Sequence, residues 1–338
     1  MTNKPARGPL LHLPIAEWPQ VDRDLMREAF WVPKDLFSEE ANGYHLRPAT
    51  KSSITFAYRR WLGWIVAYHP NRLSIAPAER PDLNLLREYV LHLSETNSEC
   101  SVATQVRLLH DALRYMSPDK DWSWLRSLKA RLERAVPKRG RRPMLINSQR
   151  LVDAGHAMMN DAVKQLEEAE TTLSAKRLQA IALLYRNGLL VSLAAFLAYR
   201  RRNLASLFIG STLRRIDEVW IVDISGEEVK NNEDLLSELP LDLGERIDSF
   251  LSTFRPLITR SSTHSGLWAS AKGRPASGGA LYIAFCAMVR KKLGISIRLH
   301  DVRSIGVTTW VIHDPLNAGG AKDLLGDRSK HVIDAYTT

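Results

Sequence analysis

The sequence predicts a mainly helical protein with one small antiparallel β-sheet, and three observations lead there. Apolar residues recur at helical spacing from about residue 50 to 136 and again from 148 to 199. The period then changes: Val219-Trp220-Ile221-Val222 is a β-type run, followed by a Gly226 turn and a second extended segment ending at Pro240. At 338 residues the chain exceeds the roughly 250–300 residues that one core ordinarily organises, so two domains are expected.

Taken in order, residues 1–45 are rich in proline and aromatics (Pro9, Pro14, Trp18, Pro19, Trp31, Pro33) without sustained periodicity, and predict an extended arm with one short helix over Asp22–Phe30. Residues 46–137 predict a helical bundle. Its first helix starts near Thr50 with Ser52 or Ser53 as cap, places Phe56, Trp61, Trp64, Ile65 and Tyr68 on one face, and stops at Pro70. Further helices are expected over about Arg80–Ser94, Ser101–Met116 and Ser123–Val136. The polar face is basic, with Lys51, Arg59, Arg60 and Arg107 among its cations. Any one of these serves equally to solvate a helix; together they predict a surface for DNA.

Residues 138–147 read as a basic linker. Pro137 and Pro143 bracket Lys138, Arg139, Gly140, Arg141 and Arg142, a run that resists helix and carries strong phosphate affinity. The second domain, 148–338, opens with helices at about Ser148–Ala169 and Ser174–Arg186, then an apolar helix Gly188–Tyr199 that runs into Arg200-Arg201-Arg202. One of these arginines sits where the apolar helix carries it inward, and a buried arginine needs an anionic partner. After the sheet come a helix over Gly244–Phe254, the Leu267-Trp268 stretch, a turn at Lys272-Gly273-Arg274-Pro275, and a helix over Ser277–Leu293. A helix through about His313 and a final helical segment, Ala321–Tyr336, complete the chain.

Composition narrows the function. An apolar fraction of 45% and a charged fraction of 25% are those of a globular protein, not a disordered one. The formal net charge of +10 and pI near 9.7 predict a polyanionic partner, nucleic acid foremost, although a ribosome-associated or membrane-surface protein carries the same surplus. Cys100 and Cys286 are far apart and form neither a disulfide framework nor a zinc site, which fits a reducing cytoplasm and no metal. Met1 to Pro14 lacks the apolar run of a signal peptide. The longest apolar segment, Leu189 to Tyr199, is short of the roughly 20 residues that span a bilayer, so a soluble protein without a membrane partner is expected.

Chemistry concentrates near the C-terminal end. His300 and Arg303, three residues apart, share one helix face and can converge on one anion, while Tyr336 downstream supplies an oxygen nucleophile. That suggests phosphoryl chemistry. The His-x-x-Arg pair taken alone fits a solvated helical face as well.

With these residues in view, the chain from about residue 46 resembles the tyrosine recombinases, also called the phage integrase family. The family's first arginine falls on Arg200, counted back from Leu204 and Leu207, with Arg201 and Arg202 as DNA-facing neighbours. Its hairpin lysine matches Lys230 in Val229-Lys230-Asn231, its His-x-x-Arg box matches His300 and Arg303, and its Leu-Gly motif is Leu325-Gly326 ahead of the nucleophile Tyr336. Two positions depart: Asp327 stands where the family usually has His or Trp, and Asn203 where its arginine box has an acid. The resemblance implies a helical core-binding domain followed by an α+β catalytic domain, the two clamping duplex DNA.

It further implies a site-specific recombinase that acts through a 3′-phosphotyrosyl intermediate, as a tetramer on paired sites, with no cofactor, in the cytoplasm at the nucleoid, encoded on a mobile element. Arg200 and Arg303 would stabilise the charge of the transition state, His300 would bond the phosphate or help take the tyrosine proton, and Lys230 would protonate the leaving oxygen. Asp327 would lie beside the phosphate unless turned toward Arg328 or Lys330.

Overall fold

The structure, a computed structural model, describes residues 11–33, 35, 37, 40–137, 146–169, 173–228, 234–260, 262–314 and 316. It divides into two compact units, Met1–Gly140 and Arg141–Thr338. Both are helical, and the second carries one small antiparallel sheet.

The first unit contains α1 (Gln20–Ala29), α2 (Pro48–Tyr68), α3 (Leu83–Thr96), α4 (Glu99–Met116) and α5 (Ser123–Ala135). The N-cap of helix α2 lies five residues ahead of Ser52. Arg47 is the N-cap and Pro48 the first helical residue, a position where the proline ring presets φ and its missing N–H costs nothing. Asp82 and Ser98 cap α3 and α4 with their side chains. Tyr58, Trp61, Leu62, Ile65, Leu86 and Val106 form the centre of the core, whereas Phe56 and Tyr68, expected on the same face, are 41% and 55% exposed.

The segment read as an extended arm belongs to this core. Trp18 is buried and donates through Nε1 to the Leu13 carbonyl at 3.0 Å. Asp22 and Arg80 are both fully buried and form a two-pronged ion pair at 2.6 and 3.0 Å, and the Tyr58 hydroxyl donates to the same carboxylate at 2.6 Å. The remaining Arg80 donors go to the carbonyls of Arg72, Leu73 and Ile75, so no polar atom of the pair is stranded. Proline and aromatic residues without a period looked like a free segment; their apolar bulk instead needs a core to cover it.

The second unit contains α6 (Ser148–Glu167), α7 (Ala175–Leu197), α8 (Arg201–Ala205), β1 (Leu213–Ile216), β2 (Val219–Ile224), β3 (Leu235–Glu238), α9 (Leu241–Ser249), α10 (Arg255–Thr259), α11 (Gly278–Leu293) and α12 (Asp301–His313). The break expected at Asn187-Gly188 is absent: α7 is one helix. Gly188 serves a close helix crossing instead. A Cβ there would stand 2.6 Å from the Gly155 carbonyl, and one on Gly155 would stand 2.6 Å from the Gly188 carbonyl and 2.2 Å from Ser192 Oγ. By length and composition α7 reaches the span of a membrane, contrary to the shorter apolar segment expected, but 72% of its apolar window is buried inside the unit. It is the central core helix.

The sheet has the order β1-β2-β3, antiparallel throughout, with Leu213 opposite Val222 and Ile221 opposite Glu238. Trp220, Val222 and Ile224 alternate inward from β2, as period two requires. Strand β1 gave no signal because its Arg214, Arg215 and Ile216 are all exposed, leaving only Leu213 to pack. The helix expected over Gly244–Phe254 is longer: α9 passes through a π-helical turn, Phe250–Phe254, into α10. The π turn lies just ahead of Pro256, whose nitrogen has no hydrogen to offer the helical ladder.

Candidate active site

Arg200 is placed by the way α7 ends. Ala198 closes the helix in the left-handed region, φ 48° and ψ 27°, with its N–H on the Ala194 carbonyl. The chain turns, and Arg200 becomes the extended N-cap of α8, half-buried, its carbonyl taking the Leu204 N–H at 3.0 Å. Arg201 and Arg202 follow on the exposed side, with Arg201 lying 5.9 Å from the Tyr282 ring centroid of α11. The half-buried arginine of the three is thus Arg200. Asn203, at the family's acidic position, is buried.

Arg303 comes from the first turn of α12. It is only 7% exposed, and its NH1 donates to the Ala198 carbonyl at 2.8 Å. A carbonyl at a helix C-terminus has no partner inside its own helix, and a cation there also meets the negative end of the helix dipole. Val302 and Ile305 bury the flanking positions of α12 and so hold Arg303 in place. His300 stands exposed at the N-cap of the same helix. The turn carrying Arg200 and the helix start carrying His300 and Arg303 are therefore joined by the Arg303–Ala198 hydrogen bond.

Asp301, between the two box residues, is tied to Arg298. Arg298 donates to it from Nε, NH2 and its backbone N–H, each at 2.9 Å. Burial pushes the Asp301 carboxyl up, but the Arg298 side-chain and backbone bonds outweigh it and hold the group below the usual carboxylate range. The carboxylate is thus kept on Arg298.

Two residues outside the predicted set complete the support. Trp268 is buried and donates through Nε1 to the Leu204 carbonyl at 2.6 Å, fixing the far end of α8. Arg186 is buried midway along α7; NH1 donates to the Ala269 carbonyl at 2.6 Å, and Nε and NH2 donate to Asn187 Oδ1. Burial pushes its guanidinium down to about 10. An arginine inside an apolar helix is the available clue, and its role is to hold the Ala269 carbonyl next to Trp268.

Of the predicted site residues, the structure sets Arg303 against the Ala198 carbonyl, two residues before Arg200, and places His300 at the start of the same helix. Lys230, Asp327 and Tyr336 lie outside the described residues, as do Lys138, Arg139, Arg141 and Arg142. In the first unit, four predicted DNA-facing cations all have partners within the protein. Lys51 donates to the Phe30 carbonyl at 3.4 Å, Arg59 to the Leu13 carbonyl at 3.3 Å, Arg60 to Gln105 at 3.4 Å and Arg107 to Asp111 at 3.4 Å. No group of three or more His, Cys, Asp or Glu able to hold a metal occurs among the described residues. A cavity of about 620 Å³ lies along the later turns of α12, lined by Phe196, Tyr199, Leu236, Thr309 and Trp310 among others, and does not include Arg200, His300 or Arg303.

No protein-family profile and no curated protein matches the sequence. Solved structures do match. A lambda integrase dimer bound to a COC′ core site is 16% identical, with 88% of this chain and 91% of that one covered and a TM-score of 0.53. The XerH site-specific recombinase bound to palindromic difH substrate, in a post-cleavage complex, is 12% identical, with 94% and 90% covered and a TM-score of 0.56. At such identities the likeness is one of fold. Spanning both units, it gives the chain the fold of the tyrosine recombinases, the family its residues resemble.

Proposed function

We propose that the protein is a site-specific DNA recombinase that cleaves and rejoins duplex DNA through a 3′-phosphotyrosyl intermediate. The observation that carries this reading is the Arg303 to Ala198 hydrogen bond, which couples the two arginines of the motif on a recombinase fold. In the reaction the Tyr336 oxygen attacks a backbone phosphorus and the bond to the 5′-oxygen breaks. Lys230 gives that oxygen a proton, and His300 helps take the proton of the tyrosine. Arg200 and Arg303, charged at every working pH, stabilise the extra charge on the non-bridging oxygens. Attack by a 5′-hydroxyl of a partner strand reverses the step at a new junction, so no nucleotide or metal cofactor is required.

The partner is duplex DNA carrying recombination sites. The cations of the first unit and of the Lys138–Arg142 run contact its backbone, and a tetramer assembles on two paired sites in the cytoplasm, at the nucleoid. A second reading is a recombinase-derived DNA-binding protein with a weakened site, favoured by Asp327 and by the buried Asn203. A type IB topoisomerase is a third, using a similar constellation to relax supercoils as a monomer.

A nicked suicide duplex tests these. The wild-type chain is expected to form a covalent adduct that Tyr336→Phe abolishes while duplex binding persists. Binding without any wild-type adduct supports the weakened-site reading, relaxation of supercoils by the monomer supports the topoisomerase, and an adduct undiminished in Tyr336→Phe sinks the assignment of the nucleophile.

A further inference from the structure

We infer that Tyr199 is a positioning residue of the active site: its hydroxyl ties strand β3, and the neck of the β2–β3 connection, to the turn that carries Arg200. The inference rests on the reading of the chain as a recombinase and deepens it, because Lys230 lies on that connection in the sequence. The Tyr199 side chain is 6% exposed and packs in the core of the second unit. Its ring needs only apolar neighbours, which a phenylalanine would fill as well. A buried hydroxyl, by contrast, costs free energy unless it is hydrogen-bonded. Its bond runs to Ser237 Oγ at 2.7 Å, 38 residues away on β3. Burial pushes the Tyr199 hydroxyl up against the smaller pull of Ser237, so it stays protonated and fit for that bond.

Strand β3 packs lightly. Of its four residues only Leu235 is buried, while Leu236 is 70% exposed and Glu238 is exposed too. Antiparallel pairing with β2, Val222 opposite Ser237, fixes the register of this edge strand. The Tyr199 bond adds a side-chain tie from it to the end of α7. Just ahead of β3, Asp234 accepts the Gly226 N–H at 2.7 Å and closes the neck of the connection. Lys230 stands among residues 229–233, outside the described ones.

Three consecutive residues thereby serve the site. The Ala198 carbonyl accepts from Arg303 NH1 at 2.8 Å, the Tyr199 hydroxyl holds β3 through Ser237, and Arg200 caps α8. Neighbouring Cα atoms are about 3.8 Å apart, so a shift of the turn moves all three together. Loosening the Tyr199 bond alone frees β3 while the Arg303 bond still holds the turn. The defect therefore falls on the step that Lys230 serves.

The leaving atom provides the test. Attack by Tyr336 forms the new oxygen–phosphorus bond and breaks the bond to the 5′-oxygen, which takes its proton from Lys230. When sulfur replaces that bridging oxygen, it leaves as a thiolate and needs no proton. The full chain is assayed for covalent adduct on nicked suicide duplexes of both kinds, with Lys230→Ala for calibration and melting curves to verify folding. Tyr199→Phe is expected to slow adduct formation about tenfold on the oxygen duplex, a share of the roughly 10²–10⁴ that a general acid contributes, and to match the wild type within about twofold on the sulfur duplex. Ser237→Ala should behave alike, and the double variant should lose no more than either single one. Equal loss on both duplexes, or no loss on either, overturns the positioning role and leaves the recombinase reading standing. Loss in Lys230→Ala on both duplexes overturns the role of Lys230, and this inference with it, but not the nucleophile. A wild type that forms no adduct on either duplex overturns the recombinase reading as well.

Discussion

Arg303 donates to the carbonyl of Ala198 at 2.8 Å across 105 residues of sequence. Ala198 ends α7 in the left-handed region, and Arg200 lies two residues beyond. The bond therefore serves the fold and, in the proposed recombinase, the chemistry as well. It satisfies the end of the core helix, and it ties the box arginine on α12 to the turn that leads into α8. An arginine suits both tasks because its planar fork carries several donors in a fixed geometry while keeping its charge.

Replacing Arg303 separates the two tasks. Arg303→Ala leaves the Ala198 carbonyl without this donor in a buried place and is expected to cost about 1–3 kcal/mol in urea unfolding. Arg303→Lys keeps a charge but offers a single compact ammonium, so it should recover part of that stability while the covalent adduct on a suicide duplex stays lost. Recovery of full adduct yield in Arg303→Lys would show that the planar fork is not needed.

Ala198 itself offers a local check. A β-branched residue is strongly disfavoured at φ 48°, so Ala198→Val is expected to destabilise the second unit by about 1–3 kcal/mol and to lower adduct yield with Arg200 and Arg303 both present. Urea unfolding and the adduct assay read the two effects. An unperturbed protein would mean that the turn relaxes out of the left-handed region at no cost.

Much of this arrangement was legible in the sequence. His300 and Arg303 share a box of four residues, and helical period alone places them together. Helix positions followed from apolar spacing, and β2 from its period of two. What stayed hidden depends on contacts remote in sequence. Gly188 reads as a helix end but is a crossing point with Gly155, and Arg80 reads as the start of a helix but is the buried partner of Asp22. Strand β1 has one inward residue, too few to make a pattern. Arg186 and Trp268 act through backbone carbonyls, which no side-chain pattern encodes.

The crossing of α6 and α7 predicts a steric cost. Gly188→Ala would put a Cβ 2.6 Å from a backbone carbonyl that cannot swing away, so the helices must separate. The expected loss is about 1–3 kcal/mol, typical of overpacking, despite alanine's better helix propensity. Urea unfolding followed by far-UV circular dichroism measures it, and a gain in stability would refute the close approach.

The Asp22–Arg80 pair makes residues 11–33 part of the first unit. Asp22→Ala leaves Arg80 charged and buried with only carbonyl partners and is expected to cost about 3–5 kcal/mol. The double variant Asp22→Leu/Arg80→Met removes both charges and should recover much of that loss. Equal destabilisation by the single and double variants would show that packing at these positions, and not the uncompensated charge, sets the cost.

The Asp301–Arg298 pair predicts how acid acts on the helix start that presents His300. The Asp301 carboxyl titrates below its usual value of 3.8 in the folded protein, so the unfolded chain takes up the proton first as pH falls. The stability the pair adds is full above that unfolded value and is lost as pH drops through the lower folded one. Asp301→Asn should therefore melt below the wild type at neutral pH, with the gap closing as the pH falls below about 3.8. Melting temperatures of both proteins across pH 2 to 7, a range that brackets the carboxylate titration at about 4, test this. A gap that does not change with pH would assign the ordering of the helix start to hydrogen bonding alone, independent of the Asp301 charge.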